Sequence, residues 1–441
     1  MNRAPARLIA RASLFACLLA AGGCKACSES SAPVVDAAAV APPVPSSRAL
    51  APKLTLPLSR PFSAALGPGG DVYVAGLVAA RGVIGVARMT AAGDIVWVRD
   101  AIAGVSWSLD ASVHVLASTR GIAVSWSGAL GRDTVRVAAM FDKDGAAVGA
   151  PARVGSGACA TEDGVVSTLE GDGGVAPVVR RGFVDATEVT LGAATHDLSP
   201  TLACGDRRVY LLEHGDQDVG LSVLGADAGL RSAPVFVAGS GEDEEREHGA
   251  FTHGDGLGFV RVTARGSVRV RDALPALTPW RRADLPPLPE GDDWLAVDGD
   301  ASFAYVVVSR DAAERCDAGL GSTDIRVVRV RRSSAPKGAT DSDELAGSLP
   351  CGVDMGSVFT GSVGKAFVVA WTELGSREGA APPIASLAYR QMGAAGTSRI
   401  EQAADAVTLA GCDAIRCYAV ALVRTEADAM APGAARIIAF P

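Results

Sequence analysis

The chain has 441 residues, 49% apolar and 20% charged, a composition that excludes a disordered or collagen-like protein. Its 41 Lys+Arg against 49 Asp+Glu give a formal net charge of −8, and no basic run offers a footprint for nucleic acid. The length allows two or three units of roughly 100–200 residues, or one large repeat domain.

Residues 1–23 have the layout of a cleavable export signal. Arg3, Arg7 and Arg11 are followed by a short apolar run, Ala12 to Ala21, and then by small residues. That run is too short for a bilayer core, which takes roughly 20 apolar residues. The exit, Ala21-Gly22-Gly23-Cys24, resembles the lipobox of bacterial lipoproteins, with Ala21 where that family usually has Leu. The resemblance implies cleavage before Cys24, lipid attached to Cys24, and a chain held in the cell envelope by its acyl chains. Lys25 at the next position implies the outer membrane. An ordinary signal peptide, releasing a soluble protein, is the alternative. Residues 24–52 then form the anchor and an Ala/Pro/Ser-rich tether, since Pro-rich stretches are extended and semi-rigid.

From residue 53 to 441 the chain reads as apolar runs of four to eight residues split by Gly, Asp, Ser and Pro, which predicts an all-β domain. One run recurs: a turn marker, then a strand with a branched or aromatic centre. Its copies begin at Val72, Ile122, Val165, Val209, Gly258, Phe303, Ala366 and Cys417, on average about 49 residues apart. Four short strands with their turns fill that length, the size of one β-propeller blade. Each unit reads as inner strand, marked strand, Asp-led strand, turn, outer strand. The expectation is one propeller of seven to eight four-stranded blades, closed by strands from both ends of the domain, with Leu54 to Leu58 completing the last blade. Tandem β-sandwiches are the competing fold.

Gly70 to Gly76, Val86 to Met89 and Gly93 to Trp97 resemble the bacterial β-propeller repeats common in exported proteins. The Trp97 segment is also similar to the tryptophan-docking repeat of quinoprotein propellers. Later units lack a Trp there, so no quinone is implied and no cofactor is expected. Gly361 to Lys365 imitates a phosphate loop, but Ala366 stands where Ser or Thr must be.

In an oxidising compartment the expected disulfides are Cys412 with Cys417, which bracket a tight turn, Cys316 with Cys351, and Cys159 with Cys204 in similar places of adjacent units. Cys27 is left over on the tether. The acidic run Glu242 to His248 supplies the candidate cation ligands Glu244, Glu247, His248 and, further on, His253. The plainer expectation is a solvated loop between units four and five, with no metal. Asp142-Lys143-Asp144-Gly145 starts like a calcium loop but lacks the closing Glu, and a hairpin turn explains it more simply. Trp107, Trp280 and Trp294 sit beside Pro, Gly or Asp and are read as exposed. Trp280-Arg281-Arg282 is the most ligand-like patch, with a surface-packing Trp as the plainer expectation. Trp97, Trp126 and Trp371 lie inside strands and are read as core.

The favoured function is non-catalytic: a lipid-anchored propeller presenting a broad face to a protein partner in the envelope. Its architecture is similar to that of the propeller lipoprotein of the outer-membrane assembly machinery. The alternatives are an exported propeller enzyme, a glycoside hydrolase or lyase with paired carboxylates at the channel, or a sugar-binding module using the Trp280 patch.

Overall fold

Val72–Val78 and Val83–Met89 are unbroken apolar runs, joined by a turn whose Gly82 takes a φ of +62°. Together with Ser59–Leu66 and Ile95–Ala101 they form a four-stranded antiparallel meander, the first of a series. The computed structural model describes residues 58–441 apart from 79–80, 102–105, 108–111, 131–132, 156–157, 163, 170–177, 182–186, 191–200, 215–217, 225–234, 239–244, 276, 316–320, 352, 376–383, 405 and 424–433. Among the described residues there is no helix. They form eight antiparallel sheets in chain order: six of four strands, the second of five and the last of three.

The sheets form a ring. Their first long strands are Ser59–Leu66, Val113–Ser118, Ala158–Thr161, Thr201–Cys204, Glu245–His253, Asp293–Gly299, Val353–Val363 and Ala406–Cys412. Each touches the equivalent strand of the next sheet, and Ala406–Cys412 touches Ser59–Leu66. This is a β-propeller, and the tandem-sandwich alternative is set aside. Seven sheets of at least four strands plus a three-stranded one agree with seven to eight blades. The strand expected to close the ring is not among the described residues. Residues 54–57 lie outside the described residues, while Leu58 is fully buried with Val420, Leu422 and Ile437 of the last sheet.

All eight recurring runs fall on the second long strand of a sheet, and their continuous apolarity follows from that position. A second strand inside a blade is covered on both faces by the neighbouring blades, so its alternate residues enter two different cores. Tyr73, Ala75 and Leu77 pack toward the second sheet with Val115, Val124 and Trp126. Val72, Val74 and Val78 pack toward the last sheet with Tyr418 and Val420. The sixth sheet repeats the scheme: Val306 and Val308 join the fifth sheet's Val260 and Val270, whereas Tyr305 and Val307 join Phe367 and Trp371 of the seventh. Trp126 and Trp371 are core residues, as read from their runs.

One expectation needs correction here. The acidic stretch was expected to be a loop, yet Glu245–His253 is the innermost strand of the fifth sheet, paired with Gly256–Thr263 around a bulge near Glu245. An innermost strand has one backbone edge free of sheet partners, and charged residues are tolerated on such edges.

Candidate functional site

The turns between first and second strands are short, and hydrogen bonds join several of them across sheets. The Thr119 N–H donates to Glu162 O at 2.9 Å, the Glu162 N–H to Asp206 O at 2.8 Å, and the Asp206 N–H to Gly254 O at 3.0 Å. Side chains add to this seam. Thr252 Oγ1 donates to Cys204 O at 2.8 Å, the Arg207 N–H to Asp255 Oδ1 at 2.9 Å, and the Tyr210 hydroxyl to Asp255 O at 2.6 Å. Burial pushes the Tyr210 phenol up to about 12. Four successive turns are thus knitted into one rim, leaving Arg120, Glu162, Asp206, Arg207 and Arg208 exposed.

Two further turns of this rim share a device. Asp300 Oδ1 accepts the N–H groups of Ser302 and Phe303 at 2.6 and 2.8 Å, and Asp300 Oδ2 accepts the Tyr305 hydroxyl at 2.6 Å. Asp413 Oδ1 likewise accepts from Ile415 and Arg416, and Asp413 Oδ2 from Tyr418. Burial tends to raise the Asp413 carboxyl, but those donors and the Arg416 charge hold it below its ordinary value. The Tyr305 phenol is raised by burial and by Asp300. Asp298 lies one turn of chain earlier on the inner strand. Burial raises its pKa against the opposing bonds from Gly299 and Thr360.

The sequence-derived residues are placed as follows. Trp280 is half-buried, and the guanidinium groups of Arg261 and Arg271 each lie 5.2 Å from its ring centroid. Arg281 donates to Asp341 Oδ2 at 2.6 Å and to Arg331 O at 3.1 Å, while Arg282 is exposed on the same outer strand. Trp294 is also half-buried, against the core between fifth and sixth sheets, so neither tryptophan stands free in solvent. The Trp107 side chain lies outside the described residues.

Glu244 lies outside the described residues, as do the side chains of Glu247 and His248. His248 and His253 sit five residues apart on one strand, about 17 Å at ~3.3 Å per residue, too far to share an ion. Among the described residues no three metal-ligating side chains converge. The Asp142 turn is a hairpin: Asp142 Oδ1 accepts the N–H groups of Asp144 and Ala146, and Gly145 has a φ of +82°. Lys365 belongs to the turn that follows Val353–Val363.

Cys159 is bonded to Cys204, linking the first strands of the third and fourth sheets, and Cys412 to Cys417 across the last sheet's first turn. Cys351 is disulfide-bonded, whereas Cys316, Cys24 and Cys27 lie outside the described residues.

Sequence reasoning missed the ion pairs between the fifth and sixth sheets. Arg332 Nε donates to Asp272 Oδ1 at 2.7 Å, both side chains being enclosed, and Ser333 bonds the same carboxylate. The fully enclosed Asp341 carboxylate takes Arg281, Arg331 and the Asp284 N–H. Within the sixth sheet, Arg310 meets Asp292 through two bonds of 2.8 and 2.7 Å. No local spacing announces these pairs, because most partners lie 18 to 61 residues apart.

No family model and no curated protein matches the chain. Among solved structures, prolyl oligopeptidase B from Galerina marginata, bound to a 25mer macrocyclization substrate, is similar at 12% identity and a TM-score of 0.48. The likeness covers 82% of this chain and 55% of that one. The Dos1 propeller is similar at 9% identity and a TM-score of 0.46, covering 88% of this chain and 93% of that one. The chain therefore spans about half the length of the oligopeptidase it matches. With both TM-scores below 0.5, the propeller assignment rests on the chain's own strand pairing.

Proposed function

We propose that the chain is a lipid-anchored protein of the bacterial cell envelope, acylated at Cys24, whose propeller binds a protein partner without catalysing a reaction. The tether of residues 24–52 holds the ring off the membrane, and Lys25 directs it to the outer membrane. Two acyl signals or more make such an anchor persistent, because one chain alone binds only marginally.

The rim supports the binding role most directly. The turns of its second to fifth sheets are joined by backbone bonds across neighbouring sheets, so the exposed Arg207 and Arg208 are carried on fixed positions, and the turn of Arg416 is held from within by Asp413; a preorganised face loses little entropy on binding. The enclosed carboxylates Asp272, Asp292, Asp341 and Glu373 each face an arginine within the ring. These are structural employments.

Two measurements test the proposal. Labelled palmitate should enter the wild-type chain and not Cys24→Ala, and unchanged labelling of the variant overturns the anchor. Photo-crosslinking residues placed at Arg207, Lys365 and Arg416 should capture one envelope protein reproducibly, while the same residue at Val96 on an outer strand should not. Equal capture at all four positions overturns the rim as the binding face.

A further inference from the structure

The second sheet meets the third through small side chains. On the face turned to the sheet that follows, the second long strands of the first, fourth, sixth and last sheets carry Tyr73, Tyr210, Tyr305 and Tyr418. The second sheet carries Ala123 and Ser125 there, and its third long strand sets Met140 and Ala138 opposite them. Without the bulk of a phenol, the space between the two sheets is not filled to the density of a protein core. A cavity of about 40 Å³ remains, with Val165 of the third sheet on its far wall. All ten residues that line it are among the described ones, and none is charged.

Ser125 is the one polar side chain in that lining. It is 8% exposed, and its hydroxyl has no hydrogen-bond partner among the described residues. A buried hydroxyl left unbonded costs stability, since its hydration is lost and nothing replaces it. Ala123, two residues earlier on the same wall, shows that a methyl group suits this face. Water answers the hydroxyl poorly: a held water takes roughly two to four polar partners, and this lining offers one side chain. The cavity is open on one side, where Ala150 is exposed.

We propose that this cavity is a binding site for a short neutral aliphatic molecule carrying one hydroxyl or carbonyl oxygen. The chain lies on Ala123, Ala138 and Met140, whose unbranched thioether adapts to its shape, and the oxygen bonds the Ser125 hydroxyl. One water needs roughly 10–15 Å³ of such space, so about three or four heavy atoms sit inside and a longer chain leaves past Ala150. A carboxylate or ammonium head is shut out, because nothing in the lining replaces its hydration. Neither the lipid anchor nor a protein partner at the rim enters the inference.

The test is methyl NMR of the full chain, labelled at its methionines and titrated with n-butanol, with xenon and with butanoate. The Met140 methyl signal should shift saturably with n-butanol and with xenon, and not with butanoate. Met89 and Met355, which belong to other cores, should not move. Ser125→Ala should weaken n-butanol binding roughly fivefold, the worth of one hydrogen bond, and leave xenon unchanged. Ala123→Leu should abolish both shifts by filling the space. No saturable shift at Met140 in the wild-type chain overturns the site. Equal binding of butanoate, or a Ser125→Ala variant that holds n-butanol as tightly, overturns the assigned chemistry. The wild-type chain and Ser125→Ala decide both points if Ala123→Leu does not fold.

Discussion

Tyr305 and Asp300 are joined by a hydrogen bond of 2.6 Å across five residues, and Tyr418 and Asp413 repeat that relation at the same spacing in another sheet. In both, one carboxylate oxygen caps the turn and the other takes the phenol at the head of the second strand. The turn and the buried aromatic are thereby fixed as one unit.

Asp300→Ala removes both employments at once and leaves the buried Tyr305 hydroxyl without its acceptor. The expected loss is about 2–3 kcal/mol, because a buried polar group left unsatisfied costs its desolvation. Tyr305→Phe should cost about 1 kcal/mol, and the double variant less than the sum. Urea midpoints of the four proteins give the coupling, and full additivity would show that the bond contributes nothing.

Asp341 is enclosed between two sheets. Burial tends to raise its carboxyl, but Arg281 and the N–H groups of Arg331 and Asp284 outweigh it and hold the pKa below the ordinary value. A folded pKa below the unfolded one adds stability that is present above about pH 4 and is lost as pH falls through the depressed value. Asp341→Asn should therefore flatten the acid limb of stability against pH, and Asp341→Ala should cost about 2–4 kcal/mol at pH 7. An unaltered acid limb in the Asn variant contradicts the pairing.

Gly145 and Gly93 occupy equivalent hairpins with φ of +82° and +87°. A Cβ on Gly145 would stand 2.8 Å from the Trp97 ring, whereas one on Gly93 meets nothing within 4 Å. Both Ala variants pay for the left-handed backbone, about 1 kcal/mol, and Gly145→Ala adds a steric cost of about 1–3 kcal/mol. Thermal unfolding should rank Gly145→Ala well below Gly93→Ala. The reverse order means that the hairpin does not dock on Trp97, whose Nε1–H donates to Lys143 O at 3.0 Å.

The repeat was legible because second strands are buried on both faces and so stand out as unbroken apolar runs; Val72, Val209 and Ala366 announce their strands directly. The Cys412–Cys417 pair was legible because its partners face each other across one short turn. Trp280 packs on the surface, as its plainer reading has it, but the arginines on its ring come from two other strands, which its sequence neighbours Pro279 and Arg281 do not announce. Glu245 to His248 of the acidic run read as loop because their charges mask a strand that pairs only along one edge. Asp341 was invisible, as its enclosure is assembled from two sheets. Sequence carries local strand identity well, and the joints between sheets poorly.

The closed ring is tested most directly by pulsed electron resonance distances between spin labels on the exposed rim turns, at Gly69, Arg207, Lys365 and Arg416. Closure predicts that Gly69 lies about as far from Arg416 as Lys365 does, and that Arg207 lies much farther from Arg416 than either. A Gly69–Arg416 distance longer than Arg207–Arg416 would mean an open arc, and the propeller would fall with it.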